Sequence, residues 1–296
     1  MSTAVQPGSA KAWVLAARPK TLPAAAIPVM VGTAVAFSQG ALAIGPALAA
    51  FLGAALIQIG TNFANDYFDA KSGADNEDRL GPTRAVQAGL LSPGAVKAAT
   101  YITFALSALV GVYLIAVGGW PILIIGVASI LSGLAYTGGP YPLGYHGLGD
   151  LFVFLFFGLI AVAATHYVQA LYWSPEAFIA ALPIGFLSTA ILVVNNYRDL
   201  DTDKEAGKNT LAVRMGRPAT RVYYVALIAA AYAVPVAQVA TGSSLTLLLP
   251  LLSLPLGALT AREIWRREGT ALNALLARTA GLLAIFGLLY ALGFAL

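Results

Sequence analysis

The chain contains no cysteine, so disulfide frameworks and thiolate chemistry are excluded, and it has only two histidines among 296 residues. Charge is scarce too: 10% of residues are charged, where an ordinary soluble domain carries roughly 25%. A soluble fold of this composition would have a core with almost nothing polar to cover it. Phosphate-cradling glycine loops, Gly-x4-Gly-Lys-Ser/Thr or Gly-x-Gly-x-x-Gly, do not occur in usable context, which argues against a nucleotide-binding domain. A Gly-x-Ser-x-Gly elbow is missing as well, and with it any sign of a hydrolytic triad. The opening segment, Met1 to Ala10, is polar and lacks the order of a cleaved signal peptide.

What the chain does have is apolar length. Hydrophobic residues make up 59% of it, in runs that recur about every 25 to 30 residues. Most runs are long enough to cross a hydrocarbon core of ~30 Å as a helix. The expected fold is all-α: a polytopic membrane bundle of nine transmembrane helices, with the whole chain, 1–296, forming a single integral membrane domain. The spans fall at about 22–38, 46–68, 95–117, 121–137, 148–170, 176–197, 218–240, 245–261 and 278–296. This count puts all 17 Lys and Arg on the side of the N-terminus and none on the other. So extreme a bias makes the charged side cytoplasmic in a multi-pass protein of the cell membrane, inner or plasma. The net charge of +4 then reflects loop placement rather than affinity for nucleic acid.

Two short strings, 130 positions apart, end spans two and six on that charged side: Asn65-Asp66-Tyr67-Phe68-Asp69, followed by Asp75, and Asn195-Asn196-Tyr197-Arg198-Asp199, followed by Asp203. Asn and Asp four apart lie on one helix face, so each string presents an amide oxygen and a carboxylate together. Asn65, Asp69 and Asp75 form one candidate metal cluster, and Asn195, Asp199 and Asp203 the other. Asp66 and Asp201 point about 100° away from the neighbouring ligand. A lone loop Asp is usually just solvated. Here, however, the carboxylates begin inside span ends, where an unneutralised charge is costly, and the pattern repeats at equivalent places. Oxygen-only ligands suit a hard cation, Mg²⁺, which is generally held by a few carboxylates plus substrate phosphates. An ion-coupled transporter is the competing class, but transporters place such residues near the bilayer midplane in broken helices. The loop Gly138–Gly147 carries no Lys, Arg, Asp or Glu, is rich in Gly, Pro and Tyr, and should be compact. His166, inside span five, reads as a buried hydrogen-bonding residue before a ligand; His146, in the uncharged loop, stays open.

The paired clusters resemble those of the intramembrane aromatic prenyltransferases, the UbiA superfamily. Longer strings resemble its branch that prenylates 1,4-dihydroxy-2-naphthoate in menaquinone or phylloquinone synthesis: Ala17-Arg18-Pro19-Lys20-Thr21-Leu22, Asp75-Asn76-Glu77-Asp78-Arg79-Leu80-Gly81-Pro82-Thr83-Arg84, Ala135-Tyr136-Thr137-Gly138-Gly139-Pro140-Tyr141-Pro142-Leu143-Gly144 and Gly207-Lys208-Asn209-Thr210-Leu211-Ala212-Val213-Arg214. Asp69 and Asp75 stand six apart where the superfamily more often has four, and the longer spacing fits the naphthoate branch.

The resemblance implies a bundle capped on the cytoplasmic side by the charged loops. A polyprenyl diphosphate would lie with its head at Mg²⁺ and its tail among the helices, and an aromatic acceptor would attack the allylic cation left as diphosphate departs. The implied product is a demethylmenaquinol-type lipid, with the acceptor's carboxylate lost as CO₂. Other acceptors of the superfamily, 4-hydroxybenzoate or homogentisate, remain open. Asp69, Asp199 and Arg84 are the expected catalytic residues, with Arg84, Arg79, Lys208 and Lys20 on the diphosphate. Tyr67, Tyr136, Tyr141 and Tyr197 are candidates for the cation's lining, or else ordinary interface tyrosines. Arg262, Arg266 and Arg267 have no carboxylate cluster beside them and are expected to serve topology.

Overall fold

The computed structural model describes residues 5–73 and 80–296, and among these every regular element is helical. The chain opens with an unexpected short helix, α1 (Ala10–Ala17), capped by the Ser9 hydroxyl, which accepts from the Ala12 N–H at 3.3 Å. A break follows at Arg18–Leu22, and α2 (Pro23–Ser38) leaves it at 46°. The backbone and hydroxyl groups exposed at the break are met from inside. Asn62 donates to the Ala17 carbonyl at 3.0 Å and to Thr21 Oγ1 at 2.9 Å, and Gln58 donates to the same hydroxyl at 3.0 Å. α1 is thus fastened over the end of α3 (Ile44–Ser72), on a small core of Ala12, Ala16, Phe63, Ala85, Leu91 and Val96.

α4 (Pro93–Gly118) and α5 (Trp120–Ala135) pack beside α3 and turn Leu109, Val112, Leu123, Ile124 and Leu131 outward, the surface a bilayer would cover. The next rod runs through α6 (Gly149–Val153), a π-helical stretch at Phe154–Ile160, and α7 (Ala161–Ala170). It crosses α8 (Pro175–Arg198) at almost no distance: a Cβ on Gly158 would sit 2.5 Å from the Gly185 Cα. α8 is the axis of the bundle. Ala180, Ala181, Ile184, Leu187, Ala190, Val194 and Tyr197 are all fully buried against α2, α10 and α12.

α9 (Leu200–Glu205) stands where a loop was expected; Asp201 and Asp203 in its first turn suit the positive end of a helix. α10 (Leu211–Ala240) is broken at Gly216, whose φ of 73° only glycine adopts easily, and the break explains why the apolar run begins only at 218. A 3₁₀ stretch, Leu245–Ser253, leads into α11 (Leu254–Glu263). α12 (Leu272–Ala295) starts six residues earlier than its apolar run, because Arg278 has a partner in Glu263 and so sits inside the helix.

Seven described helical segments are long and apolar enough to cross a membrane, and the bent pair Ala10–Thr21 with Pro23–Ser38 supplies an eighth. The segment expected as span four is α5, a helix of 16 residues. At 1.5 Å per residue it reaches about 24 Å, short of a ~30 Å core. α3 and α8 both end on the charged side, so their last turns bring the two Asn/Asp clusters to one end of the bundle.

Candidate active site

Asp69 closes the first cluster. It is 2% exposed and accepts three donors: Arg84 Nη2 at 2.9 Å, the Tyr145 hydroxyl at 2.6 Å and Lys208 Nζ at 3.5 Å. Its neighbour Asp66 has a different task, accepting the backbone N–H groups of Ala85 at 3.0 Å and Val86 at 3.2 Å. That anchor fixes the loop carrying Arg84, so Asp66 places the arginine while Asp69 binds it. Asn65 Oδ1 accepts the Thr137 hydroxyl at 2.9 Å. Asp75 and Arg79, expected beside this cluster, lie outside the described residues.

The second cluster is held from within its own helix. Arg198, 1% exposed, donates from Nε to Asp199 Oδ1 at 2.7 Å and from Nη2 to Asp199 Oδ2 at 2.5 Å. The same Nη2 reaches Asn195 Oδ1 at 2.9 Å, and Nη1 reaches Asn273 Oδ1 at 2.8 Å. Removing one partner of a buried pair of this kind leaves an uncompensated charge, at a cost of about 3–5 kcal/mol.

Lys208 joins the two clusters. Its ammonium lies 3.5 Å from Asp69 and 4.0 Å from Asp203, and 4.6 Å above the Tyr145 ring. Burial pushes the Asp203 carboxyl up to about 7; Lys208 opposes this, Asp199 and Asp69 add to it, and Arg198 opposes it again. The uncharged loop closes over the junction, with the Tyr145 carbonyl accepting from the Asn209 N–H at 2.8 Å and the His146 carbonyl from Arg214 Nη2 at 2.8 Å.

Beneath the first cluster lies a cavity of about 300 Å³. Its walls are Ala, Gly and Ile from α3, α4 and α5, with Phe152, Phe156 and Phe157 opposite. Of the four tyrosines expected to line a pocket, Tyr136 alone is on this wall. The other three lie elsewhere. Tyr197 is fully buried on the α10 side, where its hydroxyl accepts from Arg221 Nε at 2.6 Å. Tyr67 packs on the small core under α1, 6.0 Å from Lys97 Nζ. Tyr141 is 56% exposed and stacks on His146. These rings are occupied by neighbouring cations, core and histidine, a distinction that helix phase alone does not reveal. Lys20 is exposed on the turn Pro19–Thr21 and pairs with no carboxylate among the described residues.

Tyr145, Arg198, Thr137 and Asn273 belong to the site and were not singled out by sequence reasoning. The Tyr/Gly/Pro-rich loop was the signal available for Tyr145, and Arg198 stood inside the second string itself. His166 is fully buried, with Nε2 2.8 Å from Gln39 Oε1, as a structural histidine would be.

Residues 25–282 match the profile of the UbiA prenyltransferase family. The chain belongs to that family. Among its relatives, the 1,4-dihydroxy-2-naphthoate octaprenyltransferase of Escherichia coli is 39% identical over 291 residues, covering 96% of this chain and 94% of the relative. The protein of the same name from Mycobacterium tuberculosis is 43% identical over 219 residues, covering 74% and 75%. The fold of a UbiA homolog from Archaeoglobus fulgidus, solved bound to GPP and Mg²⁺, superposes with a TM-score of 0.69 at 16% identity, over 96% of this chain and 99% of that one. For a UbiA-family chain the donor set here is chemically apt, because every candidate ligand offers oxygen. Among the described residues no three Asp, Glu or His side chains converge on one point. A hard cation would therefore need amide, water and substrate oxygens to complete its shell, the habit of Mg²⁺.

Proposed function

We propose that this protein transfers a polyprenyl group from its diphosphate to 1,4-dihydroxy-2-naphthoate, releasing diphosphate and CO₂ and leaving a demethylmenaquinol-type lipid. The observation that carries this reading is Lys208, set between Asp69 and Asp203 so that one cation faces both clusters at the head of an apolar cavity. Leaving diphosphate accumulates negative charge, and preorganised cations stabilise it where it develops. Arg84 supplies a planar fork suited to phosphate oxygens, and Lys208 a point charge. Arg79 and Lys20 are assigned to the same anion. Asn65, Asp69 and Asp75 on one side, and Asn195, Asp199 and Asp203 on the other, are assigned to Mg²⁺, which when bound would neutralise diphosphate oxygens. The prenyl tail lies in the cavity between α3, α4, α5 and α7. Phe152, Phe156 and Tyr136 line the cavity with aromatic rings, whose faces attract a cation, and the apolar walls keep water from quenching it. The charged end, with the loops that close the site, faces the cytoplasm.

The test is an assay of purified protein with Mg²⁺, a labelled polyprenyl diphosphate and a panel of aromatic acids. Prenylated, decarboxylated naphthoate product is expected. Product from 4-hydroxybenzoate or homogentisate alone would move the acceptor assignment, and no Mg²⁺-dependent product from any acceptor would remove the reading.

A further inference from the structure

We infer that Arg198 is a positioning residue that holds the second cluster in place of a metal ion and makes uptake of a divalent cation there conditional on diphosphate. The inference rests on the reading that this site takes a diphosphate.

The guanidinium binds both carboxylate oxygens of Asp199 and the amide oxygen of Asn195 at once, and those are the atoms through which the second cluster would ligate a cation. It has nowhere else to go. Arg198 is the last residue of α8, adjacent to the aspartate it holds, and is buried from solvent. Its remaining nitrogen is taken by Asn273 at the start of α12, whose own amide donates to the Leu80 carbonyl at 3.0 Å. The second cluster is thereby tied to the backbone at Leu80, four residues before Arg84.

Charge explains the condition. Among the described residues, the carboxylates ion-paired at this end are Asp69, Asp199 and Asp203, and the cations paired with them are Arg84, Arg198 and Lys208, three against three. A divalent ion arriving alone would add two positive charges to a buried place, with Arg198 unable to leave, and burying uncompensated charge is expensive. Diphosphate removes the penalty by bringing negative charge and the phosphate oxygens that the sparse protein donor set does not supply. Without the guanidinium, Asp199 and Asn195 would offer an open, uncompensated site to the ion by itself.

The full-length protein in detergent micelles can be titrated with Mn²⁺, a paramagnetic stand-in for Mg²⁺, followed by electron paramagnetic resonance with and without inorganic diphosphate. The wild type should bind Mn²⁺ at least about tenfold more tightly when diphosphate is present, a coupling of ordinary size between two ligands. Arg198→Gln should bind Mn²⁺ alone about tenfold more tightly than the wild type, and the gain from diphosphate should shrink to about threefold or less. Arg198→Lys, which keeps the charge, should retain most of the wild-type coupling. An Arg198→Gln protein with unchanged Mn²⁺ affinity, or one that loses the ion under both conditions, would overturn the inference, as would Arg198→Lys behaving like Arg198→Gln. A wild type indifferent to diphosphate would sink this inference alone. A wild type that binds no Mn²⁺ even with diphosphate would sink the diphosphate reading with it.

Discussion

The two Asn/Asp clusters are near copies in sequence and opposites in construction. Asp69 takes its partners from far along the chain: Arg84 from the loop after α3, Tyr145 from the uncharged loop and Lys208 from the segment after α9. Asp199 takes its cation from the next residue of its own helix. The first cluster is therefore assembled by tertiary structure, and its cations can shift when their loops shift. In the second, the Arg198–Asp199 pair is made by adjacent residues at the end of α8, braced by Asn273 from α12. A repeated motif can mean one rigid half and one adjustable half, so equal spacing does not imply equal dynamics.

The harshest way to break the comparison is to remove a carboxylate from each half. Asp69→Ala and Asp199→Ala should each leave under about a tenth of wild-type turnover at saturating Mg²⁺, since interactions made in the transition state act as a unit. If only one of them does, the clusters are not equivalent partners in the chemistry. Next come the cations of the adjustable half: Arg84→Ala and Lys208→Ala should lose at least about tenfold in kcat/KM for the diphosphate donor, roughly 1.4 kcal/mol or more. A smaller loss is expected from Tyr145→Phe, which deletes one hydrogen bond to a buried carboxylate. With Arg84 and Lys208 still paired to the carboxylate, about 1 kcal/mol is at stake, so kcat/KM should fall about fivefold, with KM for Mg²⁺ rising. An unchanged KM for Mg²⁺ would mean the hydroxyl merely braces its loop. Smallest of all, Arg266→Ala should stay within about a factor of three in the same kinetic comparison. A loss equal to that of Arg84→Ala would show that surface potential, and not a site, was being measured.

The bundle was legible in the sequence because apolar length and one-sided charge report directly on crossing a bilayer. Both clusters were legible because helix phase puts residues four apart on one face. α1 was not, since Lys11 and Arg18 masked a buried stripe at Ala12 and Ala16. The start of α12 was hidden by Arg278, whose pairing with Glu263 depends on a contact between helices. Tyr145 and Asn273 reach the clusters across 76 residues and 75 residues respectively, and such encounters leave no periodicity to read. Tyr197 misled for the converse reason. Its place in the motif suggested the pocket, but the residue that decides its surroundings is Arg221, a full helix away.

The brevity of α5 has a consequence for the host membrane. This 16-residue helix forms one wall of the cavity, and Trp120 at its first turn is 71% exposed. A wall of about 24 Å beside a hydrocarbon layer of ~30 Å obliges lipids there to shorten or the helix ends to be flanked by interfacial groups. The mismatch costs only fractions of a kcal/mol per Å, yet it falls beside the cavity proposed for the prenyl chain. On the proposed reading, lipid length becomes a physical variable of the reaction, with the bilayer as an adjustable part of the cavity's outer wall.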